Sequence, residues 1–443
     1  MEIFVKAVSL IMSLSILVLL HEMGHFIPAR LFKTKVEKFY LFFDPWFSLF
    51  KYKKGDTEYG IGWLPFGGYV KIAGMIDESM DKEAMKEPAQ PWEFRSKPAW
   101  QRLIIMLGGV TVNALLAWAI YSMSLFTWGE EFLPLQNAKY GLACDSMMYD
   151  YGFKDGDKII AVDSVHPKEL RDVTKTIILD GGRNVTINRQ GKDSVIVLPE
   201  DFHKRVLAEH KAMLFMPLVP FVIDSIIQVD SMPAFKSTLQ KNDQIIGINK
   251  VATPYFQDFA LHIKDFKSKN VDIVVLRNGD TVAVPCAVNA AGLIGVGNKS
   301  IEHYFTLEKH EYSFFQSIPA GLNAATDQLV GYVKQFKLLF SKEGASNLGS
   351  FGTLGSLFPE SFSDAHYWQK FWSITALLSV ILAFMNLLPI PALDGGHVMF
   401  LLYEIIMKKK PSEKFMEYSQ MVGMILLFAL MTYALFNDIV RFF

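Results

Sequence analysis

Two cysteines in 443 residues cannot build a disulfide framework or a cysteine-rich zinc cluster. Positive charge is not in excess either. The 44 lysines and arginines face 45 acidic residues, a formal net charge of -1, which excludes the basic footprint of a nucleic-acid reader. Charge is sparse altogether, at 20% of the chain, while 51% is hydrophobic and 14% aromatic. So apolar a chain is not intrinsically disordered. The balance points to a membrane protein with a substantial water-facing part.

The apolar residues are segregated into four runs. Ile3 to Leu20 is interrupted only by Lys6 and three serines, and no small-x-small cleavage site follows, so it reads as a span and not a signal peptide. Leu103 to Trp128 has Asn113 among its few polar residues; Phe371 to Leu393 contains Asn386 and ends in two prolines; Met416 to Leu435 is softer at its start. Trp100, Trp128, Trp368 and Trp372 stand at run ends, where aromatics suit a membrane-water interface. Lysine and arginine crowd the segment between the first two runs and recur at Lys408, Lys409, Lys410 and Lys414 between the last two. By the positive-inside rule both segments are cytoplasmic, and the long middle and both termini lie outside.

That middle contains a repeat. Gly152 to Asp163 aligns with Thr238 to Asn249, and each copy leads to a β-hairpin, one turning at Gln190-Gly191 and the other at Asn278-Gly279. A turn, an Asp and a strand of this form resemble the PDZ fold, whose grooves bind peptide or protein termini by strand addition. The expected organisation is a first membrane part at 1–128, PDZ-like domains at 129–212 and 213–298, a connector with amphipathic helices at 299–369, and a second membrane part at 370–443. The connector's helical stretch, His303 to Phe340, fits either a membrane surface or an ordinary packed helix. The Gly/Ser-rich stretch at 341–358 suggests no role.

His21-Glu22-Met23-Gly24-His25 matches H-E-x-x-H. On a helix the two imidazoles share one face, spaced to bind one zinc, with the glutamate beside them to activate a water. At the end of a bilayer crossing such residues are costly unless paired, metal-bound or facing a polar cavity. A catalytic zinc needs a third protein ligand, and depth suggests one. The first run reaches His21 and His25 roughly 27–33 Å along a helix, and the third, also entering from outside, reaches Asp394 at similar depth. Asp394 is therefore the expected third ligand, with His397 as a competitor. Pro389 and Pro391 break the helix just before it.

H-E-M-G-H in a first crossing with N-x-x-P-x-P-x-L-D-G-G in a later one resembles the site-2 protease family of intramembrane zinc metalloproteases. The tandem PDZ-like repeat makes the chain similar to the bacterial regulator-of-sigma-E protease branch, along nearly its whole length. The resemblance implies Zn²⁺ held by His21, His25 and Asp394, with Glu22 as general base. It implies substrate contacts at Asn386, Pro389 and Pro391, and at Gly67, Gly68 and Tyr69 of a membrane-associated β-loop. The expected fold is a polytopic α-helical membrane protein with about four transmembrane helices (about 3–25, 103–128, 371–393 and 416–437), a membrane-associated β-hairpin at about 58–74, and two extracytoplasmic α/β PDZ-like domains. The expected function is regulated intramembrane proteolysis in a bacterial inner membrane, the substrates being single-pass proteins already cut outside, such as anti-sigma-factor-like proteins or signal peptide remnants. The alternative is a non-enzymatic zinc-binding membrane adaptor that displays PDZ modules.

Overall fold

The structure, a computed structural model, describes all residues except 76–87, 210–212, 228–233, 235, 236, 339–348 and 443. The chain divides into two compact units, Met1–Gly129 with Glu311–Phe443, and Glu130–His310. The connector residues at 339–348 lie outside the described residues.

The first unit contains helices α1 (Glu2–Leu31), α2 (Ala99–Trp128), α3 (Phe314–Leu338), α4 (Tyr367–Leu387), α5 (Asp394–Met407) and α6 (Glu413–Phe442). Among the described residues, α1, α2, α4 and α6 are long and apolar enough to cross a membrane. Lipid gives apolar helices no hydrophobic reason to associate, so small and hydroxyl-bearing residues must join them. Ser9 and Tyr367 share a hydrogen bond of 2.8 Å between hydroxyls, Thr375 donates to Ser13 at 3.0 Å, and Ser379 donates to the Asn113 carbonyl at 2.7 Å. Ser9 and Ser13 lie one turn apart on α1, Tyr367 and Thr375 two turns apart on α4, and Ser379, a turn further, reaches α2 instead; all six residues are buried. Deeper along the same helices, Gly24 of α1 and Gly108 of α2 bring the two backbones into direct contact.

Three features sharpen or depart from the sequence expectation. First, of the two readings open for the connector's helical stretch, α3 takes that of a packed helix, running along α2 and α4. The Trp118 indole donates to the Ile318 carbonyl at 2.8 Å, and Tyr332 and Phe336 both meet the Phe384 ring edge-on. The buried Ser317 and Gly321 leave α3 a face flat enough for this approach. Second, residues 394–407 form a helix where a loop between the last two crossings was expected; the partly buried Arg102–Glu404 ion pair fastens this α5 to α2. Third, the hairpin expected at 58–74 belongs to a larger sheet.

That sheet is made by β1 (Val36–Lys54) and β2 (Thr57–Ile72), each of which bends and pairs twice. Lys38 to Leu41 pairs with Glu58 to Ile61 on one side and with Gly68 to Lys71 on the other. The order of segments is therefore 48–54, 57–62, 36–41 and 68–72, with 68–72 at one edge. At the bend, Asp44 accepts hydrogen bonds from Tyr69 (2.9 Å) and Ser48 (3.0 Å), and the Trp63 ring stacks against both Trp46 and Phe47. Burial and the Asp44 carboxylate push the Tyr69 hydroxyl well above its usual pKa, so it remains a donor. The Gly/Ser-rich stretch also gains a place: the short helix Phe351–Ser356 is capped by Asp438 of α6, which accepts from the amides and hydroxyls of Ser350 and Thr353.

The second unit builds one device twice. In one copy β3 (Leu142–Cys144), β4 (Lys158–Val162), β5 (Asn184–Arg189), β6 (Lys192–Val197) and β7 (Phe215–Pro217) surround one apolar core. In the other, β8 (Phe221–Ile226), β9 (Gln244–Ile248), β10 (Asn270–Arg277), β11 (Asp280–Ala287) and β12 (Val296–Asn298) surround a second. Asp157 is gripped by Arg189 through two bonds of 2.7 Å and accepts the Lys154 amide; Arg189 also reaches the Gly152 carbonyl at 2.8 Å. Asp243 is gripped by Arg277 through two bonds of 2.7 Å and accepts the Gln240 amide, and Arg277 reaches the Thr238 carbonyl at 2.8 Å. Both hairpins turn through residues of positive φ, Gln190-Gly191 and Asn278-Gly279. The cysteines Cys144 and Cys286 are free thiols.

Candidate active site

The last turns of α1 carry His21, Glu22 and His25, and the helical repeat sets both imidazoles on one face. The third group arrives from a different element. Helix α4 ends at Leu387, the chain turns through Pro389 and Pro391, and Asp394 opens α5. Side chains on Gly395 and Gly396 would strike the backbone of Leu387, Leu388, Ile390 and Pro391, so only glycines permit this turn.

His21 Nε2, His25 Nε2 and Asp394 Oδ2 form a triangle with every side 3.3 Å. Three ligands bound to a tetrahedral zinc at ~2.0–2.1 Å stand about 3.3 Å from one another. Asp394 Oδ2 is buried and receives no hydrogen bond, although both ring nitrogens are near it, as expected of atoms aimed at a shared point. The donor set of two imidazoles and a carboxylate is one that zinc takes. The residues present fit that metal, and Asp394 rather than His397 completes the cluster.

The rings are held from behind. His25 Nδ1 lies 2.8 Å from the Ile105 carbonyl and must donate to it, which leaves the Nε2 lone pair free. His21 Nδ1 is 3.1 Å from the Asn113 carboxamide nitrogen, while the Asn113 oxygen is buried without a partner. With the His21 proton on Nδ1, a half-turn of that carboxamide supplies an acceptor and satisfies the oxygen in the same move. Asn113 was legible only as a polar residue within an apolar run; in the structure it stands behind the His21 ring.

A cavity of about 570 Å³ opens at the triangle. Glu22, Asn386, Gly67, Gly68 and Tyr69 line it, as does His397; Pro389 and Pro391 do not, and Pro391 lies instead against Gly396 of the turn. Asn386 stands 3.5 Å from His21 Nε2. Gly68 lies against the Glu22 stem, where a side chain would strike Val18, so the edge segment 68–72 can approach α1 only as glycine there. Gln420 of α6 also lines the cavity and had no signal in the sequence beyond its place in the softer start of the fourth run. The arrangement brings a metal-binding triangle, a carboxylate and a sheet edge into one enclosure.

The regulator of sigma E protease of Haemophilus influenzae is 28% identical over 463 residues, covering 98% of this chain and 98% of that protein. Protease RseP of Yersinia pestis is 27% identical over 467 residues, covering 100% of both. A family model described as Peptidase family M50 matches residues 9–430, a span that takes in His21, Glu22, His25 and Asp394. On that match, which runs from α1 into α6, the chain belongs to peptidase family M50.

Proposed function

We propose that the protein is an intramembrane zinc metalloprotease that cuts single-pass membrane proteins. The observation that carries this reading is the 3.3 Å triangle of His21, His25 and Asp394 with Glu22 in the same cavity. Those three side chains hold zinc, which when bound supplies Lewis acidity toward a carbonyl and a water. Glu22 takes the proton of the attacking water and passes it to the leaving amine. Ile105 and Asn113 keep the two imidazoles in the tautomer that presents Nε2. A helical substrate hides its carbonyls in its own hydrogen bonds and must unwind to be cut. Pairing with the edge segment 68–72 gives the freed groups new partners, and Asn386 contacts the bound strand.

Glu130–His310 is read as two PDZ-like domains that exclude bulky uncut substrates outside a bacterial inner membrane. The lysine-rich segments around the sheet and after α5 face the cytoplasm, which sets the site near that face. The proposed substrates are anti-sigma-factor-like proteins or signal peptide remnants already cut outside, since both present a single membrane-spanning segment. An adaptor that merely displays its modules would tolerate Glu22→Gln. The test measures zinc stoichiometry and cleavage of a single-pass reporter. Glu22→Gln is expected to keep its zinc and cut nothing, and normal cleavage by that variant would sink the protease reading.

A further inference from the structure

Gln420 occupies an unusual position. It lies on α6, yet it lines the same cavity as the metal-binding triangle and is only 3% exposed. Its carboxamide has no hydrogen-bond partner among the described residues. Its placement is enforced three residues further on, on the same helix face. A side chain on Gly423 would come within 2.8 Å of the Ala392 amide and 3.3 Å of its Cβ, so α6 packs directly on the proline turn leading to Asp394. A carboxamide this little exposed and without a protein partner depends on what fills the cavity for its hydrogen bonds. An occupant of the cavity can supply them.

The chemistry of that occupant follows from strand pairing. An extended peptide added to the 68–72 edge uses only the N–H and C=O groups that point toward the sheet. The remaining groups point to the opposite side, and within a membrane each must find another partner. A carboxamide suits this task, since it both donates and accepts and carries no charge. Among the described lining residues only Asn386 and Gln420 are carboxamides, and Asn386 already stands beside His21. We infer that Gln420 is a substrate-binding residue that hydrogen-bonds the backbone of the unwound peptide on its unpaired edge, independently of the peptide's side chains. This inference rests on the protease reading above.

The experiment compares wild type with Gln420→Met, which keeps the side chain's length and removes its polarity. Zinc content is measured beside kcat and KM on a single-pass reporter peptide. Zinc is expected to stay at the wild-type level, with kcat/KM falling about five- to tenfold, the effect of one or two lost hydrogen bonds. A set of reporters with single backbone amides replaced by esters then locates the contact. One ester should slow wild type and have no further effect on Gln420→Met. Should Gln420→Met lose zinc, disulfide trapping decides: Gln420→Cys in a Glu22→Gln background should capture a substrate cysteine next to the scissile bond. If wild type cuts no reporter, the protease reading itself falls. If wild type cuts and Gln420→Met matches it on every reporter, or if trapping fails at every position, the role of Gln420 is overturned.

Discussion

Replacing Gly108 with alanine tests whether helix contact sets the metal triangle. A methyl there would overlap the Gly24 carbonyl, with the carbonyl carbon at 2.6 Å, whereas ordinary contact begins near 3.4 Å. Both atoms belong to helix backbone, so no side chain can swing aside, and α1 and α2 must separate by at least about 0.8 Å to clear the carbon and further to clear the nearer carbonyl oxygen. Overpacking of this kind costs ~1–3 kcal/mol. The local effect is sharper, because ligand distances in a zinc site tolerate only about ±0.2 Å. His25 follows Gly24 directly, and its 2.8 Å bond to the Ile105 carbonyl spans the same contact. Gly108→Ala is expected to weaken zinc binding by roughly 10–100-fold, the range seen when the groups behind a ligand are lost. Chelator competition on the purified protein reads the affinity. Gly331→Ala is the control, because a methyl on Gly331 meets nothing within 4 Å, and it should bind zinc normally. Wild-type affinity in Gly108→Ala would refute the idea that this glycine contact holds the ligands in register.

Asn113→Leu removes the support of His21 and should lower zinc affinity ~10-fold or more, whereas Asn113→Asp, which can only accept, should retain it; equal loss in both would show that Asn113 does not accept from the ring. Asp243→Asn leaves Arg277 without its carboxylate and should lower the melting temperature of Glu130–His310, followed by proteolysis of the intact protein, by roughly 5–15 °C; Asp157→Asn should act alike on the other copy. Burial, with the Asp155 and Asp157 carboxylates nearby, pushes the Cys144 thiol up to about 12, so at pH 8 its alkylation should be roughly a thousandfold slower than that of an ordinary cysteine. The Asp163 carboxylate is held below its usual 3.8, chiefly by the Asn184 amide. A depressed folded-state pKa means that its stabilisation is present above about pH 4 and is lost as the pH falls through the folded value. Asp163→Asn should therefore flatten the acid limb of unfolding below about pH 4.

What could be read from sequence was whatever depends on local spacing. His21 and His25 share a face because four residues separate them. Asp394 could be matched to them by counting residues into a membrane, since two helices entering from the same side reach equal depth at equal length. The serines of the first run were visible but mute: Ser9 and Ser13 prove to be the points where α4 is fastened. Non-local pairing was hidden. Nothing in Val36 to Leu41 reveals that it lies between two parts of β2, because strand order is decided by contacts that the chain makes after it has turned. Helix α5 escaped notice for another reason: at 14 residues it is too short for a span, and it follows a proline turn that reads as a loop.

The two borders of the folded sheet differ in a way that limits traffic. The border formed by 48–54 is exposed and carries Lys51, Lys53 and Lys54, and a strand arriving there would have to seat itself against a row of ammonium groups. The border formed by 68–72 lies in the cavity beside Glu22 and opens with Gly68, directly after Gly67. On the protease reading, a guest strand is turned away at one margin and admitted at the other. That reading gives the sheet a single berth, which takes one unwound segment at a time.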